Sequence, residues 1–263
     1  MPPIWWCTQF ACYGGGLMST LPKLLTQGSA LFLDFDGTLA DLAPRPDAVD
    51  VPGDLARLLD RLHAHLDGAL ALVTGRARED IEPMLSPWRW PAAFEHGALR
   101  ISAHGDAAAL RPPGLDRAVA AAQHLVSRHA GLLLEIKQTS MALHFRLAPS
   151  LEALCVETLA RSFDRSSGLQ LLRGKAVIEV KSVGVNKGLA IQAFMNEAPF
   201  AGRLPVFAGD DVTDEAGFAV VQRLGGAGIK VGAGTSCALH RCDNPETLRA
   251  WLADALQTPL IHT

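Results

Sequence analysis

The sequence predicts an α/β fold, a doubly wound parallel sheet into which a separate α+β module is inserted. Three observations carry that prediction. Short, wholly apolar runs of strand length alternate with amphipathic helices towards both ends of the chain, as in parallel sheets covered on both faces. Three of those runs turn polar at their C-terminal ends, in DFDGT (34–38), TGR (74–76) and GDDVTDE (209–215). The middle of the chain breaks the rhythm, with helix and hairpin patterns each occurring twice in succession.

The elements follow in order. ALFLDF (30–35) reads as the first buried strand. In the helix that follows, PGDLARLLDRLHAHL, residues Leu55, Leu58, Leu59, Leu62 and Leu66 form one apolar stripe. ALALVT (69–74) is a second buried strand and AREDIEPML a short helix behind it. A helix over 114–129 then leads into LLLEIKQTSMALHFRL, two strand-like runs about a short turn. LEALCVETLARSF is helical, and LQLLRGKAVIEVK is a second hairpin. The sheet resumes with LPVFAG (204–209), a helix from Thr213, AGIKV (227–231) and a last helix, PETLRAWLADAL, begun by Asn244-Pro245. The expected division is an N-terminal extension at 1–28, the core in two parts at 29–104 and 186–263, and the α+β module at 105–185. Residues 1–17, MPPIWWCTQFACYGGGL, hold no Lys or Arg and so lack the basic start of a secretory signal. Met18 opens a sensible start of its own, and residues 1–17 are expected to be a poorly ordered extension outside the fold.

Composition narrows the function. The 263 residues are 49% apolar and 19% charged with a formal net charge of −3, enough chain for a sizeable core. That charge gives no support for a nucleic-acid partner, which normally leaves a basic footprint. No apolar run reaches the roughly 18 residues of a membrane span. Five cysteines form no CxxC pair, as expected of free thiols in a reducing cytoplasm. A monomer is the default, since no dimerisation helix stands out.

The three polar strand ends should meet on one rim, because open parallel sheets bind ligands beyond the carboxyl ends of their strands. Asp34 and Asp36 alternate along the first strand and so share a side before Gly37 permits the turn. Carboxylates that close repel, and a divalent cation relieves the repulsion. Asp210 would complete an oxygen-rich site of the kind Mg²⁺ prefers. Thr74 offers a hydroxyl and Lys187, in NKG, a positive charge; with a metal these are the parts that hold a phosphoryl group. Each has a bland alternative when taken alone. Strand-end Asp is a common turn former, Thr74 could cap a helix and Lys187 could be solvated. Thr213 with Asp214 and Glu215 could be an N-cap with acids against the helix dipole. Their order along the chain favours the chemical reading.

With that order the chain resembles the haloacid-dehalogenase-superfamily phosphatases, whose four motifs match DFDGT, the Thr of TGR, the Lys of NKG and GDD. The resemblance implies that Asp34 is a nucleophile forming an aspartyl-phosphate and that Asp36 is the acid and base. It also implies Mg²⁺ held by the Asp34 side chain, the Asp36 carbonyl and Asp210, with Asp211 and Asp214 as further ligands or supports. The inserted module corresponds to that superfamily's α/β cap, which closes over the rim and selects the substrate.

FEHGA (94–98), EIKQTSMALHFR, GKAVIEVK and GDDVTDEAGFAVVQRLGG bring the chain closer to the trehalose-6-phosphate phosphatases of the bacterial type, over about residues 25–256. TGR replaces the commoner SGR and keeps the hydroxyl. In the cap, Glu135, Lys137, His144, Lys175 and Glu179 supply the donors and acceptors that sugar hydroxyls need. From spacing alone they read equally as solvent-facing cross-strand pairs; the resemblance turns the five towards substrate and leaves Arg146 as a surface residue. Arg76 could reach phosphate or a cap acid, and His96 could bind sugar or brace the hinge. The expected activity is Mg²⁺-dependent hydrolysis of trehalose 6-phosphate to trehalose and phosphate. The alternatives are a capped phosphatase for sucrose 6-phosphate or a glycosyl-phosphoglycerate, a mutase, and a non-catalytic binding module.

Overall fold

The computed structural model of the chain describes residues 21, 25–43, 45, 48–109 and 111–257, so the expectation for residues 1–17 lies outside the described residues. Its first sheet has eight strands: β1 (Ser29–Leu33), β2 (Leu70–Val73), β3 (Ala92–Phe94), β4 (Leu99–Ser102), β5 (Gly105–Ala108), β10 (Leu204–Gly209), β11 (Ala227–Val231) and β12 (His240–Cys242). Their spatial order is β12-β11-β10-β1-β2-β3-β4-β5, with every pair parallel except β3–β4 and β4–β5. β1 and β2 are buried along their whole length, as their unbroken apolar sequences require. From β1 the chain moves outwards to β2, and it returns to the other flank of β1 as β10. The direction of winding therefore reverses between β1 and β10, where a doubly wound sheet opens its ligand crevice.

Helices α1 (Leu55–His65), α2 (Arg78–Met84), α5 (Lys187–Phe194), α6 (Glu215–Arg223) and α7 (Pro245–Ala255) belong to this part of the fold. Leu55, Leu59, Leu62 and Leu66 of the predicted stripe are buried, and Leu58 is packed at its edge. Phe32, Phe194 and Phe200 cluster with centroids 5.1 to 6.0 Å apart. Each such side chain contributes roughly 1.5–3 kcal/mol by leaving water. Asn244 caps α7 by accepting from the Thr247 N–H at 2.9 Å. Before α6 the capping residue is Asp211, not Thr213: Asp211 and Asp214 form a reciprocal capping box around a single 3₁₀ turn.

The second sheet has four antiparallel strands in the order β6-β7-β9-β8. These are β6 (Leu133–Ile136), β7 (Ser140–His144), β8 (Leu169–Gly174) and β9 (Val177–Ser182). With helices α3 (Leu115–Val126) and α4 (Glu152–Ser162) they enclose a separate apolar core. Strand alternation decides which side faces it. Leu134, Met141, Leu143, Ile178 and Val180 pack in that core, so their neighbours Glu135, Ala142, His144 and Glu179 take the opposite face.

Strands β3, β4, β5 and β12 are not legible in the sequence, each being three or four residues without a sustained apolar run or alternation to mark it. β5, with the sequence GDAA, has no β-branched residue and exists because β4 offers it an edge. The first sheet thus runs through residues 105–108, four residues into the stretch expected to form the inserted module.

Candidate active site

Asp34 directly follows β1, where its N–H still bonds the Ala208 carbonyl of β10 at 3.0 Å. That ladder bond sets Asp34 level with the Gly209–Asp210 turn. Gly37 is needed twice over: its φ is +72°, and a Cβ there would collide with the Asp210 carboxylate. Oxygens of Asp34, Asp210 and Asp214 all lie within 4.8 Å of one another. Lys187, at the start of α5, is buried among them and donates to Asp34 Oδ1 and to Asp214 Oδ1, both at 2.6 Å. Thr38 Oγ1 donates to Asp34 Oδ2 at 3.3 Å. Lys230, also buried, donates to the backbone carbonyls of Asp210 and Val231.

One lysine cannot balance three carboxylates. Burial pushes the Asp34 carboxyl well above its usual range; the pull of Lys187 opposes this, while repulsion from Asp214 and Asp210 adds to it. Asp210 is pushed up to about 7 by burial and then by Asp214 and Asp211. The ammonium of Lys187, despite its burial, is held protonated by Asp214 and Asp34. A compact set of hard oxygen donors with surplus negative charge fits a divalent cation.

Asp36 takes no part in that cluster. Both of its oxygens receive the Arg76 guanidinium, Nε to Oδ2 at 2.7 Å and Nη2 to Oδ1 at 2.8 Å. Arg76 was expected to reach phosphate or a cap acid; it bonds a core acid instead. Thr74 is fully buried and its Oγ1 accepts the Arg76 N–H at 3.1 Å, which leaves the hydroxyl proton free to be donated. It does not cap α2, whose N-cap is Ala77.

A cavity of about 480 Å³ lies over this rim, within the range of small-molecule sites. Its floor includes Asp34, Asp36, Arg76, Lys187, Asp210 and Asp211; Thr74 and Asp214 stand behind the wall. Its roof is the polar face of the second sheet, with Glu135, Lys137, His144, Lys175 and Glu179, and His96 lies at the junction. All five cap residues therefore line the cavity, Lys175 while still exposed at its edge, and Arg146 lines it too while reaching the Ala43 carbonyl at 3.4 Å.

The roof is internally paired. Glu135 lies 3.3 Å from Lys137 and 3.1 Å from His144. Burial raises its carboxyl, but the His144 hydrogen bond and the Lys137 charge more than offset that and hold it down to about 2. Glu179 is held at about 2 in the same way, burial being outweighed by His96 and then by Lys137 and Lys181. Lys137 Nζ also donates to the Gly75 carbonyl at 2.7 Å, linking the roof to the TGR turn.

The junction bears out one of the two readings of His96 and adds a residue the sequence did not disclose, Glu95. His96 bonds Glu179 at 3.1 Å and so braces floor against roof, and burial lowers its imidazole pKa. Its neighbour Glu95 is buried and accepts from Gln138 N, Thr139 N and Thr139 Oγ1 of the β6–β7 turn at 2.9 to 3.0 Å. Both residues adopt left-handed backbone, with φ of 46° and 60°. Lys181 of β9 is also buried in the cap, without a motif to mark it. A signal was present in FEHGA, an acid and a histidine ahead of a glycine at a strand end, but the partners lie over 40 residues downstream.

Comparison with known proteins bears on the whole of this arrangement. The trehalose-phosphatase family model matches residues 32–244. Trehalose-6-phosphate phosphatase of Escherichia coli (strain K12) is 41% identical over 225 residues, 85% of either chain. Among solved structures, the C-terminal domain of Candida albicans trehalose-6-phosphate phosphatase matches with a TM-score of 0.79 at 20% identity, covering 88% of this chain and 93% of that one. A phosphatase of the haloalkanoate superfamily from Bacteroides thetaiotaomicron matches at 0.58 and 15% identity, covering 90% and 97%. At those identities the two structures bear on the fold, which they share.

Proposed function

We propose, for a chain that belongs to the trehalose-phosphatase family, the hydrolysis of trehalose 6-phosphate to trehalose and phosphate. The observation that carries the reading is one cavity that joins an acid–lysine floor to a roof of paired polar side chains. The floor suits a phosphoryl group and the roof suits sugar hydroxyls.

Asp34 attacks phosphorus, forming an aspartyl-phosphate as the bond to the sugar oxygen breaks. The departing oxygen keeps the electron pair and takes a proton from Asp36. Asp36 then removes a proton from water, which attacks the phosphorus and restores the free Asp34 carboxylate. Lys187 holds Asp34 in place at 2.6 Å. Arg76 grips both oxygens of Asp36, so proton transfer requires that fork to open as substrate enters. Thr74 stands behind the wall while Arg76 holds Asp36; once that fork opens, Thr74 donates its hydroxyl proton towards a phosphoryl oxygen. Asp34, Asp210 and the Asp36 carbonyl would hold Mg²⁺, with Asp211 and Asp214 in support. The metal, when bound, supplies the positive charge that lets an anionic nucleophile meet an anionic phosphate. His96, Glu135, Lys137, His144, Lys175 and Glu179 bind and orient the disaccharide.

Phosphate release from trehalose 6-phosphate, sucrose 6-phosphate and glucose 6-phosphate, with and without Mg²⁺, tests this. Metal-dependent release from trehalose 6-phosphate well above the other two is expected. Preferred release from sucrose 6-phosphate would keep the floor chemistry and overturn the assignment of the roof.

A further inference from the structure

Glu95 stands outside the cavity wall and outside the acid cluster, yet it is buried and makes three hydrogen bonds to the cap. We propose that Glu95 is a positioning residue for the reaction: it clasps the β6–β7 turn and thereby sets the sugar-binding roof in register over the phosphate floor. The inference deepens the trehalose 6-phosphate reading and rests on it for its substrate.

Two left-handed residues in succession, Glu95 and His96, are costly for side chains with a Cβ. Such backbone persists where its surroundings over-determine it, and it collects at sites of function. Here the backbone is fixed to the floor: the Glu95 N–H bonds the Arg76 carbonyl at 2.9 Å, and the His96 N–H bonds the Thr74 carbonyl at 2.8 Å. The two side chains reach the roof at separate points, Glu95 at Gln138 and Thr139 and His96 at Glu179. The turn Glu95 grips begins at Lys137, whose ammonium spans from Glu135 to the Gly75 carbonyl. Letting go of Gln138 and Thr139 therefore frees the roof residues nearest the TGR turn while leaving Asp34, Asp36 and Lys187 in place.

The geometry separates a clasp from a general structural role. Oε1 of Glu95 accepts one N–H and Oε2 accepts another together with a hydroxyl, so a glutamine must turn an NH₂ towards a donor. In Glu95→Gln the kcat/KM for trehalose 6-phosphate should fall roughly tenfold or more, chiefly through KM, as expected for losing hydrogen bonds to a charged group. Turnover of p-nitrophenyl phosphate, which needs only the floor, should change by less than about threefold. Glu95→Asp and Thr139→Val should give smaller shifts of the same kind, and both keep the test open if Glu95→Gln folds poorly. Amide hydrogen exchange of the 138–139 segment should speed up in Glu95→Gln. That readout needs no substrate, so it tests the clasp even if the wild type ignores trehalose 6-phosphate, an outcome that would remove the substrate reading alone. Proportional loss of both activities, or unchanged exchange at 138–139, would overturn the proposal.

Discussion

The floor of the cavity sets three carboxylates around one lysine, whereas the roof pairs its acids with bases, Glu135 with Lys137 and His144, and Glu179 with His96. Carboxylates at similar depth respond in opposite directions. Burial and mutual repulsion raise Asp34 and Asp210 on the floor. In the roof burial acts the same way but the partnered bases outweigh it, and Glu135 and Glu179 are held at about 2. What distinguishes the regions is the ratio of acids to bases within hydrogen-bond reach. A floor with surplus charge is incomplete until cation and phosphate arrive; a self-paired roof keeps its shape without them.

The contrast is broken most severely at its centre. Asp34→Asn should reduce turnover by about 10⁴-fold or more while the fold is kept, since the change removes a charge the floor does not favour. Phosphate release beside circular dichroism would show it; residual turnover within tenfold of wild type would dismiss Asp34 as nucleophile. Lys187→Met attacks the same balance from the other side. Stripping the one ammonium that joins Asp34 to Asp214 should cost about 3–5 kcal/mol in denaturant unfolding, and a loss under about 1 kcal/mol would mean that the carboxylates are already relieved.

The roof should show a milder and pH-dependent loss. Glu135 titrates at about 2 in the folded chain against an ordinary 4.5. It therefore adds stability above about pH 4.5 and loses it as pH falls from there towards 2. With its side chain 27% exposed, the contribution is on the order of 2 kcal/mol. Comparing Glu135→Gln with wild type, the gap in unfolding free energy should be full at pH 6 and shrink below pH 4.5; a gap that is constant with pH would assign it to packing. The smallest effect belongs to Lys175, exposed at the β8–β9 turn and facing the cavity. Lys175→Ala should shift stability by no more than about 0.5 kcal/mol and raise KM for the sugar phosphate roughly tenfold. Equal rises for p-nitrophenyl phosphate would place Lys175 on phosphate rather than sugar.

By itself the sequence determined the strands that build the floor and the acids at their ends. DFDGT, TGR and GDD each sit where a short-range apolar pattern stops and NKG opens the helix that leads back into the sheet, so local pattern decides strand, turn and helix start before any partner is met. Period-two alternation in EIK and VIEVK likewise put Glu135 beside Lys137 on one face and an acid at Glu179. Tertiary structure decided what these groups bond. Arg76 lies 40 residues from Asp36 and Lys187 lies 153 from Asp34, separations at which no local periodicity survives. Only packing chose a core acid for Arg76, and only packing turned the roof residues into the cavity instead of towards water. Glu95 is the extreme case: its role follows from a backbone conformation that side chains with a Cβ avoid and from a turn in the other sheet. FEHGA marks the place but not the partners, because the contacts come into being only when the two sheets meet.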